Sequence, residues 1–131
     1  MNTKEQMLAT LKRAGYKITI ARRRVVEWLA RHGGVFSAYD VASALPRLAG
    51  ASVYRVLNVL ETVDIIHPVM TLKGQQYYEL HGGASGHHHH ALCLTCGDWR
   101  CMTCSVEAPK IPGFSVTHHS FVATGYCGRC T

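Results

Sequence analysis

Cys93-Leu94-Thr95-Cys96 and Cys127-Gly128-Arg129-Cys130 form two Cys-x-x-Cys pairs, and four consecutive histidines, His87 to His90, stand just ahead of the first. Two such pairs can supply four thiolates to a tetrahedral zinc ion, and imidazole nitrogens suit a second, more exchangeable metal. In a secreted chain the six cysteines could instead form three disulfides, but Met1 is followed by the polar run Asn2-Thr3-Lys4-Glu5-Gln6 and not by an apolar leader. The expectation is a reducing, cytoplasmic setting, where paired Cys-x-x-Cys units read as metal sites or redox motifs; metal is preferred.

Ligands need a frame, and 131 residues suffice for one ordinary domain or two small ones with thin cores that a metal can staple. No run approaches the ~18 apolar residues of a membrane-spanning helix, so no membrane role is expected. The net charge of +6 is unevenly spread. Residues 1–60 hold ten Lys/Arg against three acids, a balance of +7, while the remainder holds four bases and five acids, a balance of -1. Charge and metal ligands therefore segregate into a basic module suited to a polyanion and a Cys/His module suited to metal.

In the basic half, Met7, Leu8, Leu11 and Ala14 fall at helical spacing and Gly15 supplies a stop. Thr19 is a good N-cap for a helix from Ile20 to about Ala30, with Val25, Val26, Trp28 and Leu29 apolar and Arg22, Arg23 and Arg24 near its start. Three arginines there oppose the helix dipole, a conflict an outside anion would relieve. Ser37-Ala38-Tyr39-Asp40 has the form of a capping box opening a short helix through Leu45, before Pro46. From Ser52, read as an N-cap, Val53, Val56, Leu57 and Leu60 define a buried stripe and leave Tyr54, Arg55 and Asn58 on the opposite face. A short helix, a turn and a helix exposing Tyr, Arg and Asn match what a major-groove reader needs.

Ile65–Met70 and Gln75–Leu80 read as two strands joined around Leu72-Lys73-Gly74, the wing of a winged helix-turn-helix. His81-Gly82-Gly83-Ala84-Ser85-Gly86 reads as a connector. The expected organisation is a DNA-binding domain over residues 1–82 and a metal-binding domain over 83–131, with a hinge at about 81–87.

Taken together, Gly15-Tyr16-Lys17-Ile18-Thr19-Ile20-Ala21-Arg22, Ala51-Ser52-Val53-Tyr54-Arg55-Val56-Leu57, the histidine run leading into Cys93-x-x-Cys96-Gly97, and Gly125-Tyr126-Cys127-x-x-Cys130 resemble the ferric uptake regulator family. The resemblance runs from about Leu11 to Cys130. It implies an α+β fold: an N-terminal winged helix-turn-helix followed by a small α/β dimerisation domain with a four-cysteine zinc site. It further implies a metal-dependent repressor, a homodimer on palindromic double-stranded DNA, that controls metal uptake genes and is not an enzyme.

Carried over by position, the resemblance makes Cys93, Cys96, Cys127 and Cys130 the structural zinc ligands. Tyr54 and Arg55 become DNA contacts, with Ser52, Asn58, Lys12 and Arg22 as further candidates on the basic half. His88 and His90 match a regulatory site that His67 and His81 complete, Glu79 competing with His81. His87, His89, Glu107 and His119 resemble a third site. Four nitrogens suit zinc, whereas ferrous sites favour carboxylate. The family's iron and peroxide sensors draw a histidine from the start of the third helix, where this chain has Val35-Phe36-Ser37, and Ser37-Ala38-Tyr39-Asp40-Val41 resembles the zinc uptake branch. Zinc is therefore expected at the regulatory site, with ferrous iron as the alternative.

Two features depart from the pattern. The interval from Cys96 to Cys127 is short for the family, and Pro109, Pro112 and Gly113 crowd the place of the dimerisation-domain helix, which should be short or absent. Cys101-Met102-Thr103-Cys104 has no counterpart; packing as ordinary buried thiols is preferred over metal binding or exchange with the structural set. A zinc carrier or thiol redox protein is the competing class, but it leaves the basic half unexplained.

Overall fold

The computed structural model describes residues 3–81, 88–105, 107–117 and 119–131. Two compact units result, Met1–Gly83 and Ala84–Thr131. Of the expected connector, His81 to Gly86, residues 82–86 lie outside the described residues, and so does His87.

The first unit begins with α1 (Lys4–Arg13), closed at its start by a capping box in which the Thr3 hydroxyl accepts from the Gln6 amide and the Gln6 side chain accepts from the Thr3 amide. α2 (Ile20–His32) starts on the Thr19 hydroxyl, which accepts from the Arg22 amide, and stops at Gly33. β1 (Val35–Ser37) leads into α3 (Ala38–Ala44), whose capping box pairs Ser37 with Asp40. α4 (Gly50–Thr62) follows, then β2 (Ile66–Leu72) and β3 (Gln75–Leu80). The caps satisfy amides that a helix start leaves without partners, so these boundaries are set locally.

The apolar stripes of the helices meet in one core: Met7, Leu8 and Leu11 from α1, Val25, Val26 and Leu29 from α2, Val41 from α3, and Val53, Val56, Leu57 and Leu60 from α4. A three-stranded antiparallel sheet, in the order β1-β3-β2, closes this core with Phe36, Ile66 and Tyr78. Lys73 and Gly74, both at positive φ (49° and 78°), make the tight β2–β3 turn that matches strand twist. The edge strand β2 slips register between Pro68 and Met70, a bulge beside a residue with no amide proton to donate. Helices one to four with a two-stranded wing constitute the winged helix.

Two local expectations change. β1 has no counterpart among the expected strands: three residues form a strand only because β3 pairs with them, Phe36 opposite Tyr78. Ser52 does not cap α4. That helix starts three residues earlier, where the Ala49 carbonyl takes the Ser52 and Val53 amides and no side chain caps it.

The second unit is a three-stranded mixed sheet in the order β5-β4-β6, made of β4 (His88–Cys93), β5 (Trp99–Thr103) and β6 (Val122–Gly125). β4 runs antiparallel to β5 and parallel to β6. Among its described residues there is no helix, and Pro109 to Gly113 lie in extended or turn backbone. Its buried described residues are His89, His90, Leu92 and Cys93.

Leu60 is fully buried at the centre of the first unit's core. Leu60→Ala should cost about 2–5 kcal/mol, read as a lower denaturant midpoint of the helical circular dichroism; an unchanged midpoint would contradict that packing.

Candidate metal centres and nucleic-acid interface

The parallel register of β4 and β6 sets Cys93 opposite Gly125, so both strands end side by side and each runs into a Cys-x-x-Cys turn. The Leu94 amide continues the ladder to the Gly125 carbonyl at 2.8 Å. The first turn closes through the Gly97 amide to the Cys93 carbonyl at 2.9 Å, with Gly97 at φ 75°, and the second through the Cys130 amide to the Cys127 carbonyl at 2.9 Å. Gly97 is thus required by its left-handed backbone. The sulfurs of Cys93, Cys96, Cys127 and Cys130 all lie within 4.8 Å of one another.

Zinc–thiolate bonds of ~2.3 Å in a tetrahedron place neighbouring sulfurs ~3.8 Å apart; the Cys96 and Cys127 sulfurs are 3.8 Å apart. The Cys127 amide donates to the Cys93 sulfur at 3.4 Å. Amides aimed at sulfur favour the thiolate. The backbone amides of Cys96 and then Cys127 lower the Cys93 thiol to about 6, against burial, which raises it. Cys127 is also lowered, chiefly by the Arg129 amide. Cys130 moves the opposite way, to about 12, because its neighbour Cys127 holds the charge and burial adds to the cost. Four crowded sulfurs cannot all ionise unaided; a divalent cation removes the conflict, and the set fits a zinc-sized ion.

The histidine-rich candidates fall into separate groups. In the first unit, His67 on β2 sits across from Glu79 on β3, with Nε2 2.8 Å from the carboxylate, and the His67 and His81 ring centroids are 5.6 Å apart. In the second, His88 and His90 share one face of β4, two residues apart, with ring centroids 4.9 Å from each other. His89 points to the other face, where it stacks on His119 and Phe121. The atoms gathered there are those of His89, Cys104 and His119; Glu107 is exposed and outside that set. Sequence reasoning missed Cys104 here. The reading of Cys101 and Cys104 as ordinary buried thiols does not hold: Cys101 is exposed and Cys104 meets the His119 Nε2 at 3.2 Å.

On the basic unit, α4 buries Val53, Val56, Leu57 and Leu60 and turns Tyr54, Arg55 and Asn58 outward, Tyr54 being 55 % exposed. Arg55 donates to the Ser52 hydroxyl at 3.3 Å, which directs the guanidinium along the helix. A cleft of about 360 Å³ between the start of α2 and this face is lined by Thr19, Arg22, Ser52, Arg55 and Asn58 among others. Arg22 is held there by the Lys17 carbonyl at 2.8 Å and by the Tyr16 ring, 5.3 Å from its guanidinium. Lys12 is exposed in the last turn of α1 and does not line the cleft. Polar and cationic groups that converge on one groove can take a phosphate and a base edge together.

The profile of the ferric uptake regulator family matches residues 13–127. The ferric uptake regulation protein of Yersinia pestis is 30 % identical over 133 residues, spanning 92 % of this chain and 88 % of that protein. The peroxide operon regulator of Bacillus subtilis is 28 % identical over 137 residues, 97 % of this chain and 92 % of its own. The solved structure of the Helicobacter pylori ferric uptake regulator, described as having three functional metal binding sites, superposes with a TM-score of 0.73 at 25 % identity, covering 98 % of this chain and 94 % of that one. Matched along almost its whole length in sequence and in fold, the chain belongs to the ferric uptake regulator family of metal-responsive transcription regulators.

Proposed function

We propose that the chain is a zinc-responsive, DNA-binding repressor of metal uptake genes, most like the zinc uptake branch of its family, acting in the cytoplasm as a homodimer on palindromic double-stranded DNA. The observation that carries the reading is the cleft where Arg22, Ser52, Arg55 and Asn58 converge on the exposed face of α4, in the half of the chain with a charge balance of +7. Tyr54 stands beside them for contact with sugar or base, and Lys12 adds charge toward the flanking backbone.

Cys93, Cys96, Cys127 and Cys130 would hold a structural zinc. A bound divalent ion supplies a cross-link and a counter-charge for thiolates. The ligands proposed for an exchangeable ion are His67 and His81 in the first unit and His88 and His90 in the second; the support is the family resemblance, together with the pairing of rings inside each unit. If these residues act together, ligands from both units limit the arrangements open to a dimer, and a two-fold pair of α4 helices can meet two half-sites only in some of them. Coupling of ~1–3 kcal/mol would change DNA affinity ~5- to 150-fold. A homodimer is supported by apolar side chains that the second unit leaves exposed, Leu94, Ile111, Phe114 and Tyr126.

An iron-responsive regulator is the second reading. It is favoured by the Glu79 carboxylate, whose oxygen lies 2.8 Å from His67 and would suit a harder ion. Against it, Val35-Phe36-Ser37, at the place of the histidine ligand in iron and peroxide sensors, is the buried strand β1.

Three outcomes are expected. In a gel-shift titration of the chain stripped of labile metal but retaining its tightly bound zinc, adding zinc should restore DNA binding at lower concentration than ferrous iron; a shift indifferent to chelator would defeat the repressor reading. Arg55→Ala should weaken DNA binding in the same assay and leave metal content unchanged; equal DNA affinity would remove Arg55 from the contact role. Cys96→Ser should lose the tightly bound zinc and raise amide exchange across β4, β5 and β6 while α1 to α4 stay protected; full protection in both units would count against a structural role.

A further inference from the structure

An ion pair stands beside the sulfur quartet, and strand register puts it there. Directly paired residues in a sheet share a face, and the faces alternate along each strand. Arg100 on β5 pairs with Ala91 on β4, and Ala91 pairs in turn with Ala123 on β6; two residues further along β4, on the same face, come Cys93 and its partner Gly125. The Cys93 amide donates to the Asp98 carbonyl at 2.9 Å, which continues the ladder and sets Asp98 beside Cys93. Because Ala91, Ala123 and Gly125 carry little or no side chain, this face holds a cleft of about 220 Å³ whose lining includes Arg100, Asp98, Cys93 and Cys127. The Arg100 Nε donates to an Asp98 carboxylate oxygen at 2.8 Å.

From this placement we infer that Arg100 and Asp98 tune the hold of the four-cysteine site on zinc: the guanidinium offsets the excess negative charge of the thiolates, and the carboxylate limits that offset. Both are positioning residues, acting through the thiolates and not as ligands. The inference rests on the reading of the quartet as a zinc site and deepens it by assigning the charge that surrounds the ligands.

Four thiolates around a divalent ion carry a net double negative charge, which a nearby cation stabilises and a nearby anion opposes. The Asp98 hydrogen bond raises the Arg100 guanidinium above its ordinary range, and the charges of Cys127 and Cys96 act on it in the same sense, as expected of a cation that faces thiolates. A guanidinium stays protonated throughout, so its contribution is constant. The Arg100 side chain is 64 % exposed and that of Asp98 36 %, so water and salt weaken the effect without abolishing it. An amide at position 98 can keep accepting the hydrogen bond from Arg100 while dropping the charge, which separates the position of the guanidinium from the net charge of the pair.

The test uses the full chain purified with its zinc and set to compete with a chromophoric chelator at fixed pH, first at low ionic strength and then in ~1 M salt, where the screening length falls to ~3 Å. Arg100→Gln should lower zinc affinity by about 3- to 10-fold, less than the ~10–100-fold typical of losing a supporting partner because this one is exposed. Arg100→Lys should hold zinc as wild type does. Asp98→Asn should hold it more tightly than wild type, and all these differences should shrink in high salt. An ion pair that merely braced β5 would give another pattern, with Asp98→Asn weakening zinc binding alongside Arg100→Gln and Arg100→Lys. That pattern, wild-type affinity in Arg100→Gln, or an Asp98→Asn affinity no higher than wild type would overturn the proposal; the last arm decides it even where Arg100→Gln does not fold. Wild-type protein purified without zinc would overturn the zinc reading together with this inference, an outcome that metal content shows before any variant is compared.

Discussion

The second unit depends on bringing four sulfurs to the shared end of two parallel strands. Its buried described residues are two histidines, one leucine and Cys93, whereas the apolar core of the chain belongs to the first unit. So little apolar burial, at ~25 cal/mol per Å², cannot offset the entropy of ordering the unit. A structural metal cluster supplies the difference in small domains, with apparent binding energies of ~10–16 kcal/mol. The opposed displacements of the Cys93 and Cys130 thiols, one down to about 6 and the other up to about 12, express the same constraint as charge: the sulfurs share too little compensation until a cation joins them.

The first unit solves the opposite problem. Its core, built from stripes on four helices and closed by a sheet, provides enough burial that the surface is free to carry function. That freedom is used for charge. α2 has no acid in its first turn and carries Arg22, Arg23 and Arg24 there, against the helix dipole. Of the three, Arg22 lines the groove with Arg55 and Asn58, where a bound anion would compensate the conflict.

Much of the fold was legible because its signals are local. Thr3 and Gln6, Thr19, and Ser37 with Asp40 mark helix starts through hydrogen bonds spanning three residues, and Lys73-Gly74 marks a turn. What escaped lacked such signals. β1 is too short to show alternation and exists through pairing with β3; α4 starts on a backbone carbonyl with no side chain to announce it. In the second unit the crowding of Pro109, Pro112 and Gly113 did announce a region unsuited to a helix.

The sites divide in the same way. Residue types and their spacing within a turn determined that this chain carries two thiol pairs suited to metal and a basic half suited to a polyanion, because Cys-x-x-Cys geometry and helix periodicity need only neighbours along the chain. Which distant segments meet was decided by tertiary structure. The parallel pairing of β4 and β6 joins the two cysteine pairs, and the antiparallel pairing of β4 and β5 sets Cys104, and not Glu107, beside His89 and His119. A shift of one residue in either register would turn those side chains to the other face, and register is a property of packed strands that no single segment contains.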